Sequence, residues 1–244
     1  MSQKDKFTYI IQYQEVDEHR RLRLYTLENY LLNSAGLAAD KHGFGVKYLY
    51  PQRMTWVLTN LSLQMESLPM PGDEMTVETW VQDNIHSLSV RNFRIYINGE
   101  KRGEARSVWV VLNIDDRTIQ NIFDRSVFHL DEEGEKLDLP RAPRHTSGEQ
   151  PDKEYIHKIS YSDIDYNGHC NSCKYLERML DLQEPPAEVF PLRIDLRYAK
   201  EVYKGDEVRV CFFDADGVYH YDLFTAHGEL SCSAILSCGK DIVS

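Results

Sequence analysis

The sequence predicts an α+β protein in which one arrangement, a helix followed by antiparallel strands, occurs twice. Residues 13–17, YQEVD, align with residues 161–165, YSDID, and a segment of helical periodicity follows each of them. Further along both halves, alternating strands surround a Gly-Asp-Glu turn, at 72–74 and again at 205–207. The repeated order predicts two halves of similar structure, each a sheet packed on a helix.

Composition and charge narrow the class of protein. The chain has 244 residues, of which 42% are hydrophobic and 27% charged, as in a folded globular protein. The net charge of −11 disfavours nonspecific binding to nucleic acid or to anionic membranes. No apolar run is long enough to span a bilayer, and the first residues, MSQKDK, lack the apolar core of a signal peptide. Five scattered cysteines suit a reducing compartment, so we expect a cytoplasmic protein without nucleic-acid or membrane partners.

The N-terminal half begins with a predicted strand over 7–13, followed by a helix from Leu24. Apolar residues recur at helical spacing up to Ala35, and we interpret Gly36 as the helix stop. The stretch 41–50 contains glycines and has no clear period, which predicts irregular structure.

Strands fill the rest of this half. Alternation in 61–65 and in 75–81 predicts half-buried strands on either side of a turn at 71–73. The Asn-Gly pair at 98–99 is typical of a two-residue hairpin. The almost continuous apolar run 108–114 predicts a strand that is buried on both faces.

The domain boundaries follow from a change in pattern. We expect an N-terminal domain at 1–125, a linker at 126–152 and a C-terminal domain at 153–244. The linker segment is rich in charge and proline and has no sustained period. It is also long for a loop inside one compact domain, which favours a boundary there.

Residues 163–175, DIDYNGHCNSCKY, concentrate polar groups before the second helix. Asp165, Asn167 and His169 occupy alternate positions, and Asn167-Gly168 predicts a turn. The helix that follows has a predicted apolar face formed by Cys173, Leu176 and Leu180. A helix N-terminus carries free N–H groups and partial positive charge, which can stabilise an oxyanion.

The pattern Asp165-x-Asn167-x-His169-x-Asn171, followed by Tyr175, resembles the active-site motif of the acyl-[acyl-carrier-protein] thioesterases of bacteria and plastids. Those enzymes are double hot-dog proteins. The resemblance extends over nearly the whole chain and implies an α+β tandem (double) hot-dog fold. In such a fold an antiparallel sheet wraps a central helix in each half.

A second stretch, 196–202, resembles the family's strand with the sequence Leu-x-Tyr-x-x-Glu-Cys. Glu201 stands at the position of the family's candidate catalytic glutamate. Val202 replaces the cysteine, so a papain-like nucleophile is excluded at that position.

The resemblance implies hydrolysis of acyl-acyl-carrier-protein, with release of free fatty acid in fatty acid biosynthesis and without a metal or organic cofactor. The partner is then the phosphopantetheine thioester on acyl carrier protein, and a homodimer is left open. The implied catalytic residues are Asp165, Asn167, His169 and Glu201. We expect Glu201 to act as general base, Asn167 and His169 to hold the water or the thioester carbonyl, and Asp165 to orient them.

The two halves differ at these positions. The first copy has His19, Arg21 and Leu68 where the second has its amide, imidazole and carboxylate groups. We therefore interpret the N-terminal half as the part that shapes the acyl pocket and the C-terminal half as the part that carries the reaction. Members of the family divide the two tasks in a similar way.

Several alternatives fit the same sequence. The chain is also compatible with an acyl-CoA thioesterase on the same fold, or with a non-catalytic acyl-binding module. Cys170 is an alternative nucleophile that would be acylated. The Cys170-x-x-Cys173 spacing is also found in metal and redox motifs, but no second Cys/His pair accompanies it. We interpret both cysteines as small buried helix residues.

Docking of an acidic carrier protein would require a local basic patch on this acidic chain. Candidates occur in both halves: Arg20, Arg21, Arg23, Arg91, Arg94, Lys200 and Lys204. For any one of them, an ordinary solvated charge is the simpler interpretation.

Overall fold

The computed structural model of the chain describes residues 4–122, 134–140, 142, 150–187 and 189–239. Its helices are α1 (Leu24–Lys41), α2 (Val46–Leu49) and α3 (Ser172–Leu182). Its strands are β1 (Asp5–Ile10), β2 (Met54–Met65), β3 (Glu74–Ile85), β4 (Leu88–Ile97), β5 (Glu100–Asn113), β6 (Ile119–Gln120), β7 (Lys153–Lys158), β8 (Leu192–Tyr198), β9 (Glu207–Ala215), β10 (Val218–Thr225) and β11 (Leu230–Cys238). Within these described ranges, no helix is both long and apolar enough to cross a membrane.

Internal contacts divide the chain into two units. The first comprises Met1–Arg23, Leu27–Leu61 and Leu68–Leu139, and the second comprises Leu24–Thr26, Ser62–Ser67 and Pro140–Ser244. Most of the predicted linker, 126–152, lies outside the described residues. The boundaries at 125 and 153 therefore stay predictions.

The first unit has a sheet in the order β1-β3-β4-β5-β2, with β6 paired to β5. The predicted hairpin at Asn98-Gly99 is confirmed: both residues have positive φ, 50° and 85°, and they join β4 to β5. The predicted alternation in β2 is also confirmed, because Leu61, Leu63 and Met65 are all buried. The run 108–114 was predicted to be buried on both faces. Within β5 this holds only at Val110 and Val111, which are adjacent and both buried.

The predicted helix stop at Gly36 is wrong, because α1 continues to Lys41. The apolar face extends to Ala38 and Ala39, and both are buried. This packing outweighs the roughly 1 kcal/mol that glycine costs in a helix interior. The helix is capped by His42, and Gly43, the next residue, has φ +80°.

Two other boundaries differ from the predictions. The strand predicted over 7–13 is Asp5–Ile10, because Tyr13–Glu15 form a 3₁₀ turn. The side chain of Glu15 closes that turn by accepting the Gln12 amide at 2.8 Å. The stretch 41–50, predicted to be irregular, contains the short helix α2.

Residues 134–139, which belong to the predicted linker, form a segment that packs on the sheet of the first unit. Its Leu137 and Leu139 form a buried cluster with Trp80. The indole Nε1 of Trp80 donates to the Glu135 carbonyl at 2.8 Å, and Arg106 donates to the Leu137 carbonyl at 2.8 Å. This part of the chain is therefore held along the sheet by both apolar and polar contacts.

The second unit has a sheet in the order β8-β11-β10-β9-β7. Helix α3 packs against β7, β9 and β10. Two tyrosines of the sheet donate to backbone carbonyls of the helix and of its C-terminal end. Tyr155 donates to the Arg178 carbonyl at 2.9 Å, and Tyr221 to the Gln183 carbonyl at 2.8 Å. Each unit thus combines a main helix with an antiparallel sheet, as the sequence predicts.

Replacing Gly134 with alanine should destabilise the first unit. A Cβ at this position would lie 2.3 Å from the Val81 carbonyl oxygen, which is backbone and cannot rotate away. Overpacking of this kind typically costs about 1–3 kcal/mol of unfolding free energy. Urea unfolding followed by tryptophan fluorescence measures the change, because Trp56, Trp80 and Trp109 all lie in the first unit.

The matched control is Gly36→Ala, where no atom lies within 4 Å of the new Cβ. Alanine is favoured over glycine in a helix interior by about 0.5–1 kcal/mol, so this variant should be more stable than the parent. Equal stability of Gly134→Ala and the parent would show that the 134–139 segment is not tightly held.

Candidate active site

The two copies share one local backbone frame, which confirms the repeat. Tyr161–Asp163 form a 3₁₀ turn closed by Asp163, as Tyr13–Glu15 do in the first copy. Asp165 then donates its amide to the His169 carbonyl at 2.8 Å, and Asp17 does the same to Arg21 at 2.8 Å. The side chains placed on this shared frame decide what each copy can do.

In the second copy, Asp165 organises the turn between itself and His169. One carboxylate oxygen accepts the amides of Asn167 and His169 at 2.9 and 3.2 Å. The other accepts the side-chain amide of Asn167 at 3.4 Å. Gly168, with φ +83°, allows the chain to turn back. Asp165 therefore holds both the backbone of the turn and the Asn167 side chain, which fits the orienting role expected for it.

The structure brings Glu201 to the same turn. The Nδ1 atom of His169 lies 3.6 Å from the Oε1 atom of Glu201, and both side chains are largely buried. The Cys170 amide donates to the Val202 carbonyl at 2.9 Å, which joins the two segments. The ring of Tyr203 packs edge-on against His169, with 5.1 Å between centroids. The imidazole is thus held between a carboxylate and an aromatic ring.

One detail of the prediction is wrong: Glu201 does not lie within a strand. Strand β8 ends at Tyr198, so Glu201 is in the loop that connects β8 to β9. A loop position leaves the carboxylate free of the alternating order of the sheet, so other contacts must set its direction.

The first copy lacks this arrangement. The guanidinium of Arg21 donates from Nε and Nη2 to one carboxylate oxygen of Asp17, at 3.1 and 2.8 Å. The Leu22 amide donates to the Pro69 carbonyl at 2.8 Å, matching the second copy, but the residue before Pro69 is the buried Leu68. An ion pair and an apolar side chain therefore occupy the positions of the imidazole and the carboxylate.

The helix after the turn is capped by its own motif. The Asn171 side chain accepts the Cys173 amide at 3.1 Å, so α3 begins at Ser172. The predicted apolar face is partly wrong, since Leu180 is only half-buried. The buried residues of α3 are Cys173, Tyr175, Leu176 and Met179.

The cysteines do not have the properties of nucleophiles. All five are free and buried. Cys170 precedes α3 rather than lying in it, and burial raises its pKa to about 12. A thiol with that pKa contains almost no thiolate at neutral pH. Among the described residues, no group of three or more His, Cys, Asp or Glu is arranged to hold a metal ion.

Asp163 anchors the turn through hydrogen bonds of its carboxylate. The side chain is buried, and one of its oxygens accepts the Ser160 amide, the Ser160 hydroxyl and His157 Nε2 at 2.8, 2.9 and 3.1 Å. Its other oxygen accepts Arg178 Nη2 at 3.0 Å. Burial opposes ionisation of Asp163, but these hydrogen bonds outweigh it and hold its pKa well below the usual value. The Asp163 carbonyl also accepts the Asn171 amide at 2.8 Å, so the anchor reaches the start of α3.

Sequence reasoning missed Asp163, Arg178 and Tyr203. A signal existed for Asp163, because the repeat places it opposite Glu15 and an acid therefore stands in both copies. Glu15 accepts the Tyr30 hydroxyl at 2.6 Å, and Arg178 is the counterpart of Tyr30. Tyr203 is adjacent to His169 only through the fold, so the sequence carried no signal for it.

Not all of the basic residues suggested for docking are available to a partner. Arg91 is excluded because it is buried and donates to Thr79 Oγ1 at 3.2 Å. The guanidinium carbon of Arg94 lies 5.2 Å from the centre of the Trp80 ring, so Arg94 makes a cation–π contact there. Lys204 is exposed and lies in the same turn as Tyr203, next to the candidate site.

The class of protein is defined by its fold. A crystal structure of an acyl-ACP thioesterase from Bacteroides thetaiotaomicron is similar over 96% of this chain and 97% of that one, with a TM-score of 0.84 and 29% identity. The 12:0-ACP thioesterase from Umbellularia californica is similar over 96% of both chains, with a TM-score of 0.83. Its identity is 19%, so that likeness bears on the fold alone. The predicted tandem hot-dog fold is confirmed.

Two family models match the sequence. The acyl-ACP thioesterase N-terminal domain matches residues 2–129, and the acyl-ACP thioesterase C-terminal domain matches residues 146–233. The chain therefore belongs to the acyl-ACP thioesterase family.

Relatives in plants are also named acyl carrier protein thioesterases. An oleoyl-acyl carrier protein thioesterase from Arabidopsis thaliana chloroplasts is 26% identical over an alignment of 236 positions that covers 85% of this chain. A palmitoyl-acyl carrier protein thioesterase of the same plant is 28% identical over an alignment of 191 positions that covers 68% of this chain. The chain spans only 62% and 44% of the lengths of these two relatives.

Asp163→Asn should destabilise the second unit in a pH-dependent way. A carboxyl group whose pKa is lowered by folding contributes stability that is present above its unfolded pKa of about 4 and is lost as the pH falls toward its folded pKa. Loss of the buried charge pair should lower the unfolding free energy by about 3 kcal/mol at pH 7. The difference from the parent should shrink steadily below about pH 4.

Urea unfolding followed by circular dichroism at several pH values measures this difference. Asp216→Asn is the control, because Asp216 is exposed in the β9–β10 turn and has a positive φ that asparagine tolerates. A difference for Asp163→Asn that did not change between pH 7 and pH 3 would show that its ionised form is not favoured by folding.

Proposed function

We propose that the chain hydrolyses the thioester of acyl-acyl-carrier-protein and releases free fatty acid in fatty acid biosynthesis. Membership of the acyl-ACP thioesterase family supports this proposal. The observation that carries it is the 3.6 Å approach of His169 to Glu201 in one copy of the repeat, where the other copy has Arg21 and Leu68. A set of polar groups retained in only one of two similar halves favours a chemical role over a structural one.

The proposed mechanism uses water as the nucleophile. Glu201 takes a proton from a water molecule as the water oxygen attacks the thioester carbonyl carbon. The side-chain amide of Asn167, oriented by Asp165, donates to the oxyanion that forms. When the C–S bond breaks, the leaving sulfur takes the proton back from Glu201, and the carboxylate is regenerated. His169, next to Glu201, orients the carboxylate and the water.

The first half is proposed to shape the acyl pocket. The stretch after α1 contributes to an apolar cluster of Leu49, Met54, Val111 and Ile122, with Phe44 and Trp56 packed against it. The indole of Trp56 donates to the Phe44 carbonyl at 2.9 Å, which ties this stretch to β2. Side chains of this size and polarity suit a fatty acyl chain. We place the reaction in the cytoplasm, which the five free cysteines favour.

A hydrolysis assay on defined substrates tests the proposal. The purified chain is mixed with acyl thioesters of several lengths, each on acyl carrier protein and on coenzyme A, and free thiol is measured. We expect turnover with a higher kcat/KM on the carrier protein. A preference for coenzyme A would assign an acyl-CoA thioesterase, and binding without turnover would assign an acyl-binding module.

Glu201→Gln tests the general base in the same assay. The amide keeps the shape of the side chain and removes its basicity, so kcat should fall by roughly 10²–10⁴-fold. Asn167→Ala and His169→Ala should also fall steeply, and Asp165→Asn should cost less because it orients other groups. His19→Ala is the control, since this exposed residue is the first-copy counterpart of Asn167. Hydrolysis by Glu201→Gln at the parent rate would place the base elsewhere.

Cys170→Ala and Cys173→Ala should keep most of the activity. Burial raises the pKa of Cys170 and disfavours its thiolate, and the proposed reaction does not use a sulfur nucleophile. The measurement is kcat for each variant, together with mass spectrometry of the parent quenched during turnover. An acyl group trapped on Cys170, or loss of turnover in a folded Cys170→Ala, would restore a covalent mechanism.

A further inference from the structure

The backbone contacts of His169 do not fix the direction of its ring. The His169 amide donates to the Asp165 carboxylate at 3.2 Å, and its carbonyl accepts the Asp165 amide at 2.8 Å. The imidazole still turns about its side-chain bonds, and the torsion next to the ring has only broad preferences. The distance of 3.6 Å from Nδ1 to the Glu201 Oε1 atom is longer than a hydrogen bond, so this carboxylate alone does not lock the ring.

Tyr203 supplies a contact to the ring itself. It stands directly opposite His169 across an antiparallel backbone bridge. Side chains opposite each other in such a pair lie close enough to touch. The two rings meet with 5.1 Å between their centroids and 76° between their planes, an edge-to-face arrangement that aromatic pairs favour. Rotation of the imidazole therefore either breaks this contact or drives one ring against the other.

The turn that carries Tyr203 is itself held at several points. The Tyr203 amide donates to the Asp206 carboxylate at 2.9 Å, and the Asp206 amide donates to the Tyr203 carbonyl at 3.1 Å. The Ile159 amide donates to the Asp206 carbonyl, and the Ile159 carbonyl accepts the Gly205 amide, both at 2.9 Å. The tyrosine ring thus projects from a fixed backbone, as a group that positions another requires.

The first copy of the repeat carries the same turn with a different side chain. The Met70 amide donates to the Asp73 carboxylate at 2.8 Å, and the Asp73 amide donates to the Met70 carbonyl at 3.1 Å. Met70 is exposed to nearly the same degree as Tyr203, 43% against 48%. The turn therefore forms without an aromatic residue, and its stability does not account for Tyr203. The copy with Arg21 in place of the imidazole also has no ring at this position.

We propose that Tyr203 is a positioning residue whose ring holds the His169 imidazole with Nδ1 toward the Glu201 carboxylate during hydrolysis. This inference rests on the proposed function, in which His169 orients Glu201 and the attacking water. The role belongs to the ring rather than to the hydroxyl, because the contact with His169 is between the two rings. Without it the imidazole can turn, and a displacement of about 1 Å near the reacting groups can cost up to 10²-fold in rate.

The test compares Tyr203→Met, which installs the side chain that the first copy carries on its turn, with Tyr203→Phe, which keeps the ring. For Tyr203→Met we expect kcat to fall by about 10–100-fold and KM to stay within about 2-fold of the parent, because substrate contacts are unchanged. Tyr203→Phe should keep its kcat within about 2-fold, because the edge-to-face contact remains. Met70→Ala is the matched control, since it removes a similarly exposed side chain from the equivalent turn, and it should keep the parent kcat.

Two results of this comparison would overturn the inference. A parent kcat in Tyr203→Met would show that the ring is not needed, and equal losses in Tyr203→Met and Tyr203→Phe would assign the effect to the hydroxyl. Tyr203→Leu replaces Tyr203→Met if the latter does not fold. NMR of the His169 ring protons gives a readout that does not depend on turnover. Their resonances should move in Tyr203→Met and stay near the parent positions in Tyr203→Phe, and unchanged resonances in Tyr203→Met would contradict the contact.

A double variant tests whether Tyr203 acts through His169. Tyr203→Met should cause no further loss in a His169→Ala background, measured in single turnover. Equal factors in both backgrounds would overturn the inference. Absence of turnover by the parent chain on every acyl thioester would instead remove the proposed function, and the positioning role would fall with it. A steep fall in His169→Ala together with a parent rate in Tyr203→Met would leave the function standing and overturn only the positioning role.

Discussion

The candidate site depends on one backbone hydrogen bond in the second unit, from the Cys170 amide to the Val202 carbonyl. It joins the turn before α3 to the loop after β8, two segments that are about thirty residues apart along the chain. Because the bond fixes backbone to backbone, it holds whichever side chains stand on either side. The imidazole of His169 and the carboxylate of Glu201 lie next to its two ends, and their 3.6 Å approach follows from it.

The same constraint appears in the first unit, where the Leu22 amide donates to the Pro69 carbonyl. The equivalent backbone bond is present there, but the neighbouring side chains are Arg21 and Leu68. Arg21 turns back onto Asp17, and Leu68 is buried. A duplicated frame has thus been kept in both halves, with polar chemistry in one and local pairing in the other. The frame supplies position, and the side chains supply reactivity.

Polar groups hold the two segments of the site from both sides: some hold the turn before α3, and others hold the loop after β8. Asp165 holds Asn167 and the turn, while Asp163 holds the turn to α3 through Arg178. On the opposite side, the amides of Ala199 and Lys200 donate to the Ser231 carbonyl and hold the loop that carries Glu201. A buried polar group whose partner is lost costs about 1–3 kcal/mol, so these contacts stabilise the fold as well as the geometry. A substitution at one of these residues should therefore change both the stability of the second unit and the geometry of the candidate site.

The sequence by itself determined the repeat, the α+β class, the hairpin at 98–99 and the turn at Gly168, because these depend on periodicity and on local backbone preference. It also indicated Asp165, Asn167, His169 and Glu201 as a set, through the family motif. Only the tertiary structure decided that α1 runs past Gly36, because burial of Ala38 and Ala39 outweighs a local preference. The tertiary structure alone also brought Tyr203 and Ser231 to the site. Their positions arise from contacts between distant segments, and such contacts leave no periodic pattern in the chain.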